Sequence, residues 1–179
     1  MLVGSLQAAL FAAILCLLCP WSVPLGVIPI TLSLMGLFLA IGCLPPARAL
    51  QAVGLYLLLG GIGLPVFAGF QGGVGALLGP TGGYLLSYLP AVGAATLVAK
   101  LLPRVKIWGQ LVAATLTVYV GGALWYMFTA QVPLWTAVGV GVLPLLAADA
   151  VKLVAAGLLI KRTDGTMTQL HSGEVSVRL

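Results

Sequence analysis

The stretch LPLLAADAVKLVAAGLLI, residues 143–160, carries an acid and a base three residues apart in an otherwise apolar run. At i and i+3, Asp149 and Lys152 share one face of a helix, where each can partly neutralise the other or both can face one ligand. Every other acidic or basic residue lies at the end of an apolar segment or in the polar C-terminal stretch. Charges inside a membrane span are costly and point to function by default, whereas the competing reading is an ion pair that only seats its helix. Counting from Pro144 at about 1.5 Å per residue puts Asp149 roughly 7 Å and Lys152 roughly 12 Å into the helix. There a lysine would meet an anionic group, and a carboxylate would accept hydrogen bonds from ligand N–H donors. A small molecule with a carboxylate and an amide-like end suits the pair.

The elements that hold these two residues follow from composition. With 61% hydrophobic and 6% charged residues and a mean hydropathy of +1.20, the chain is excluded from the soluble class, which is about one quarter charged. It reads as an all-α integral membrane protein of six transmembrane helices, with an outward-facing pocket capped by loops. A span needs roughly 20 predominantly apolar residues, and the expected spans are 3–19, 27–44, 49–64, 84–102, 107–130 and 144–161. Residues 1–162 therefore form one membrane domain, and the polar stretch 163–179 is expected to be a mobile cytoplasmic tail. The start, MLVGSLQAALFAAILCLLC, has no basic segment ahead of its apolar run and reads as a retained first helix. The basic residues are scattered between spans without a basic, aromatic-interleaved face, which argues against nucleic acid as a partner.

Those basic residues report topology instead. Arg48 follows the second span, Lys100, Arg104 and Lys106 surround the connection after the fourth, and Lys161 and Arg162 follow the sixth. By the positive-inside rule these connections and both termini are cytoplasmic. The other three connections carry no charge and are expected to face outward. Of these, CPWSVPLGVIP is rich in proline and PVFAGFQGGVGALLGPTGG in glycine. Irregular backbone of this kind is tolerated in membranes where it is buried in protein or lines a cavity, so the outward loops are candidate binding elements. Within the fifth span Gly121 and Gly122 are expected to interrupt the helix. After it, TAQVPLWTAVGVGVLP is expected to form a short re-entrant or interfacial piece before Pro144 opens the last helix.

Three other groups of residues invite a chemical reading. In LLGPTGGYL, glycines would let backbone approach a ligand and Tyr84 would offer a hydroxyl and an aromatic wall; the alternative is a tight turn beside an interfacial tyrosine. In the first helix, Ala8 and Ala12, and again Ala9 and Ala13, are small residues four apart that permit close helix contact, and composition alone favours internal packing. Cys16 and Cys19 form a CxxC, but Cys43 is expected near the opposite side of the membrane, so the three thiols read as apolar residues rather than as a metal site. The single histidine, His171, lies in the tail. Without a nucleophile, second acid or metal cluster beside Asp149, catalysis is a poor reading, and no cofactor is expected.

The stretch YLLLGGIGLPVFAGFQGGVGALLGPTGGYLL, residues 56–86, closely resembles the central motif of the BioY family, the biotin-binding S components of energy-coupling factor transporters. The resemblance extends to VPLGVIPITLS in the first outward loop and to LPLLAADAVK in the last helix, where the family's DxxK element matches Asp149 and Lys152. It implies a multi-pass protein of a prokaryotic cell membrane that captures biotin from outside. It also implies docking to a transmembrane coupling subunit with two cytoplasmic ATPases. Gln71, Thr81, Gly83 and Tyr84 then join Asp149 and Lys152 as expected ligand contacts. The resemblance further implies that Ala8 and Ala12 face the coupling subunit, against the preference from composition. This chain has Ser33 and Ala148 where the family often has glutamine and glycine. The other readings are an S component for another small vitamin or a biotin precursor, a structural membrane subunit, and a membrane-embedded enzyme.

Overall fold

The computed structural model describes residues 2–24 and 28–177, with side chains described through 163 except at 2, 3, 103 and 106. Nine α-helices and one small ribbon are found among the described residues. The helices are α1 (Leu2–Leu18), α2 (Ser33–Cys43), α3 (Pro46–Gly61), α4 (Val74–Leu78), α5 (Gly82–Leu86), α6 (Tyr88–Leu101), α7 (Lys106–Ala130), α8 (Leu134–Gly141) and α9 (Leu143–Val177). Two short strands, β1 (Ser22–Val23) and β2 (Ile30–Thr31), pair antiparallel between α1 and α2. The expected all-helical membrane class is seen. Among the described residues three segments are long and apolar enough to cross a membrane: Gly82–Leu101, Ile107–Ala130 and Leu143–Thr163.

Buried residues recur at Gly4, Ala8, Ala12 and Leu15 on α1 and at Cys19 just past its end, a stripe three and four residues apart that places one helix face inward. This helix packs chiefly on α3, which turns Ala49, Ala52, Val53 and Tyr56 inward. Small side chains on both helices let their backbones come close, which is how helices pack where lipid supplies no hydrophobic drive. Leu6, Leu10 and Leu17 on the other side of α1 are exposed, as are Leu116, Val120 and Leu124 on α7 and Val151 and Leu158 on α9. An outer surface this apolar suits lipid. The remaining packing sets α6 and α5 on α7, α2 on α9, and α3 on α6.

Two expectations about spans are corrected. The second was expected to be helical from 27, a residue outside the described ones, yet residues 28–32 are non-helical and α2 begins only at Ser33. Pro29 lacks an N–H and fixes its own φ, so the backbone around it stays extended and pairs in the ribbon instead. Gly121 and Gly122 do not interrupt α7, which is continuous over 25 residues. A Cβ at Gly121 would lie 2.0 Å from the Ser87 Oγ, and one at Gly122 would lie 2.3 Å from the Tyr84 ring. The glycines are a contact surface for the segment that carries Tyr84 and Ser87. At the C-terminal end, α9 is continuous through Val177, past the expected end of the sixth span, and residues 178–179 of the tail lie outside the described residues.

Candidate functional site

The first and third connections, α2, α3, α5, α6, α7 and the first part of α9 surround a cavity of about 690 Å³, including the part open to solvent. Asp149 and Lys152 both line it and are both buried. The Lys152 Nζ donates to the Asp149 Oδ1 at 2.6 Å. From α7 the Tyr119 hydroxyl donates to the other carboxylate oxygen, Oδ2, at 2.7 Å. Burying a carboxylate is costly without a cation and further donors beside it, and this one has both. An ammonium has three N–H groups and Asp149 takes one, so two remain for a ligand acceptor. Each carboxylate oxygen also keeps a lone pair for a ligand N–H.

Near the start of α2 the cavity is lined by hydroxyls. Ser33 is the first residue of that helix, but no side chain caps the helix start. The Ser33 Oγ instead accepts from the Tyr88 hydroxyl at 2.5 Å and lies 2.5 Å from the Thr31 Oγ1. Thr31 is placed by its pairing with Ser22 across the ribbon. The non-helical start of the second segment, with Ile28, Pro29 and Thr31, thus forms part of the cavity wall.

The third connection closes over the same space. Phe67 is buried and meets Tyr56 edge-on, with ring centroids 5.6 Å apart. The chain reverses tightly after it, with Gly69 at φ 69° and the Phe67 N–H bonded to the Gln71 carbonyl at 2.9 Å. Only glycine takes that backbone region without steric cost. The loop is tied to the first connection by the Gly69 N–H, which donates to the Pro20 carbonyl at 3.0 Å. Beside that bond Phe70 meets Trp21 edge-on at 5.8 Å.

Of the six expected ligand contacts, Gln71, Thr81, Tyr84, Asp149 and Lys152 are brought together in the cavity lining. Gly83 is not. A Cβ there would lie 2.0 Å from the Trp125 Cβ, so this glycine lets α5 approach α7 closely. Tyr84 contributes an aromatic wall, and its hydroxyl donates to the Gly141 carbonyl at 3.0 Å. That bond is the link from the cavity to α8, the short helix found where an interfacial piece was expected. The lining residues include none from the fifth connection. Sequence reasoning missed Tyr119, Tyr88, Thr31 and Tyr56 and named Ser33 only as a departure from the family. Tyr84 and Tyr88, four apart and facing one way, carried a legible signal; Tyr119 carried none, because its partner lies 30 residues away.

Ala8 and Ala12, expected to face the coupling subunit, are 5% and 1% exposed and lie on the inward stripe of α1. Ala9 and Ala13 are the exposed small pair. Cys19 is buried and lines the cavity, Cys16 is half-buried and Cys43 is exposed. Among the described residues no three metal-ligating side chains gather. The side chain of His171 lies outside the described residues.

A family model described as the BioY family matches residues 3–169. The chain is 35% identical over 153 residues to the biotin transporter BioY2 of Lactococcus lactis, covering 82% of this chain and 81% of that one. It is 34% identical over 158 residues to the biotin transporter BioY of Thermotoga maritima, covering 88% and 93%. Its fold is similar to the crystal structure of the S-component for biotin from an ECF-type ABC transporter, with a TM-score of 0.81, 29% identity and 92% of each chain covered. A match spanning the ribbon, the glycine-rich connection and the helix of Asp149 and Lys152 takes in every element that builds the cavity, and the chain belongs to the BioY family.

Proposed function

We propose that this chain is the membrane substrate-binding subunit that captures biotin from outside the cell for ATP-driven uptake. The observation that carries this reading is the buried cavity itself. It pairs aromatic walls from Tyr56, Phe67 and Tyr84 with two polar clusters, one built on Asp149, Lys152 and Tyr119 and one on Ser33, Tyr88 and Thr31. A largely apolar pocket with a few convergent polar groups fits a small molecule that has an apolar body and two polar ends. Biotin has a carboxylate at one end, a cyclic urea at the other and a thioether-containing body between them. Gln71 and Thr81 supply further polar contacts at the glycine-rich side. The members of this family are transporter S components rather than enzymes, and the chain binds its ligand without covalent chemistry.

The six crossings of this reading are α1, α2, α3, α5 with α6, α7 and the first part of α9. The non-helical run ahead of α2 is compatible with a crossing because it lines the cavity, where such backbone is tolerated. The cavity lies at the uncharged end and opens outward, while Arg48, Lys100, Arg104, Lys161 and Arg162 mark the cytoplasmic end with both termini. Uptake then requires a transmembrane coupling subunit and two ATPase subunits, and Ala9 and Ala13 offer such a subunit a surface of small residues on α1. The test is titration of the purified protein with labelled biotin and with its precursors. Saturable binding, displaced by unlabelled biotin more readily than by any precursor, is expected. Binding of a precursor alone would move the assignment to that precursor, and absence of saturable binding would end this reading.

A further inference from the structure

We propose that Trp125 is a positioning residue for ligand capture, which acts from outside the cavity by fixing the turn that presents the Thr81 hydroxyl to it. This deepens the biotin reading and rests on it. Trp125 is not among the residues that line the cavity, whereas Thr81 is. The Trp125 Nε1–H, on α7, donates to the Gly79 carbonyl at 3.0 Å. That same carbonyl accepts from the Gly82 N–H at 3.0 Å, which closes a turn with Pro80 and Thr81 at its middle. A carbonyl oxygen has two lone pairs, and both are then engaged. The bond from α7 thus fastens the turn at the atom on which it closes.

Two features make that tie matter for Thr81 in particular. Thr81 stands directly ahead of α5, yet no side chain caps this helix, so the hydroxyl is not spent on the helix start. It has one proton and two lone pairs to offer a ligand. The second feature is composition: Gly79 and Gly82 flank Pro80 and Thr81, and glycine loses more conformational freedom than any other residue on being ordered. Without a tie from outside, the ligand itself would have to order the turn, and that cost would be subtracted from its affinity. The helix ahead of the turn, α4, gives it little support, with Val74 and Leu78 60% and 62% exposed. Tyr84 is anchored separately, by its ring against Gly122 and its hydroxyl on the Gly141 carbonyl. Loosening the Trp125 bond therefore acts on Thr81 and leaves the aromatic wall in place.

A double-mutant cycle on the purified protein, read by biotin titration, tests the assignment. Trp125→Phe keeps an aromatic ring on the same Cβ and lacks the N–H, and it should weaken biotin about 3- to 10-fold for the loss of one neutral hydrogen bond. In a Thr81→Val background the same change should cost less than about 2-fold, because the group that it positions is already gone. Equal penalties in the two backgrounds would overturn the proposal, since Trp125 would then act on the fold at large. Wild-type affinity in Trp125→Phe would overturn it too, and so would wild-type affinity in Thr81→Val, which leaves no hydroxyl to position. Trp125→His is the rescue: its Nε2 occupies, in the five-membered ring, the place of the indole Nε1. It should bind biotin within about 2-fold of wild type, and a histidine variant as weak as the phenylalanine one would show that the hydrogen bond is not what positions the turn. Trp125→Met, also without a donor, replaces Trp125→Phe in the cycle if that variant does not fold. Failure of the wild-type protein to bind biotin would instead remove the parent reading, so the two failures are distinguishable.

Discussion

Replacing Lys152 with methionine keeps most of the side-chain volume and removes the cation that lies 2.6 Å from the Asp149 Oδ1. The carboxylate, only 3% exposed, is then left with the Tyr119 hydroxyl. Removing one partner of a buried ion pair costs about 3 to 5 kcal/mol. That is a large share of the roughly 5 to 15 kcal/mol by which folded proteins are stable. Lys152→Met alone should therefore lower the apparent melting temperature in detergent sharply. The double variant Asp149→Asn with Lys152→Met strands no charge and should recover most of that loss, because the amide oxygen introduced in place of the carboxylate still accepts from the Tyr119 hydroxyl. Ligand affinity should not recover with it. A charge-assisted hydrogen bond contributes about 1.5 to 3 kcal/mol, so the double variant should bind biotin roughly 10- to 150-fold more weakly. Thermal unfolding and calorimetric titration on the same preparations give both quantities. A double variant that is stable and binds with wild-type affinity would show that the pair only seats α9, and an unaltered single variant would show that it does neither.

Tyr119→Phe removes the second donor to Asp149 and keeps the ring; binding should fall about 10-fold for a charge-assisted hydrogen bond near the lower end of its range, as read by titration. A wild-type value would mean that Lys152 alone orients the carboxylate. Gly83→Ala should destabilise the protein by about 1 to 3 kcal/mol through overpacking against Trp125, with affinity in the surviving folded fraction close to normal. Selective loss of affinity in a normally stable variant would return Gly83 to the ligand site. Ala12→Trp should impair folding and binding together because its side chain is buried on the inward face of α1. Ala13→Trp should leave biotin binding intact while preventing co-purification with the coupling subunit, and assembly at full yield would remove Ala13 from that interface.

The charged pair was legible because it needs only a helix and a spacing of three. The partner of that pair was not, since nothing local links Tyr119 to residue 149, and the same holds for Ser33 and Tyr88, 55 residues apart. Gly121 and Gly122 were read from what glycine does to a single chain, whereas both lie against another segment, the one that carries Tyr84 and Ser87. The alanines show a related limit. Ala8 with Ala12 and Ala9 with Ala13 have identical spacing, and the two pairs are separated by about 100° of helix rotation. Which pair faces inward depends on where α3 lies, an angle that the spacing does not carry.

The tie between the first and third connections bears on time rather than on affinity. Because the Gly69 N–H is bonded to the Pro20 carbonyl and Phe70 rests on Trp21, neither connection can swing away alone without breaking both contacts. The rim of the cavity is in this sense one hinged piece made from two distant stretches of chain. A barrier that entry and exit must both cross slows the two alike, so it lengthens the stay of a ligand without changing the dissociation constant. A ligand that left past this rim would have to part Trp21 from Phe70, two side chains outside the cavity lining. How tightly the ligand is held and how long it is held are thereby assigned to different residues.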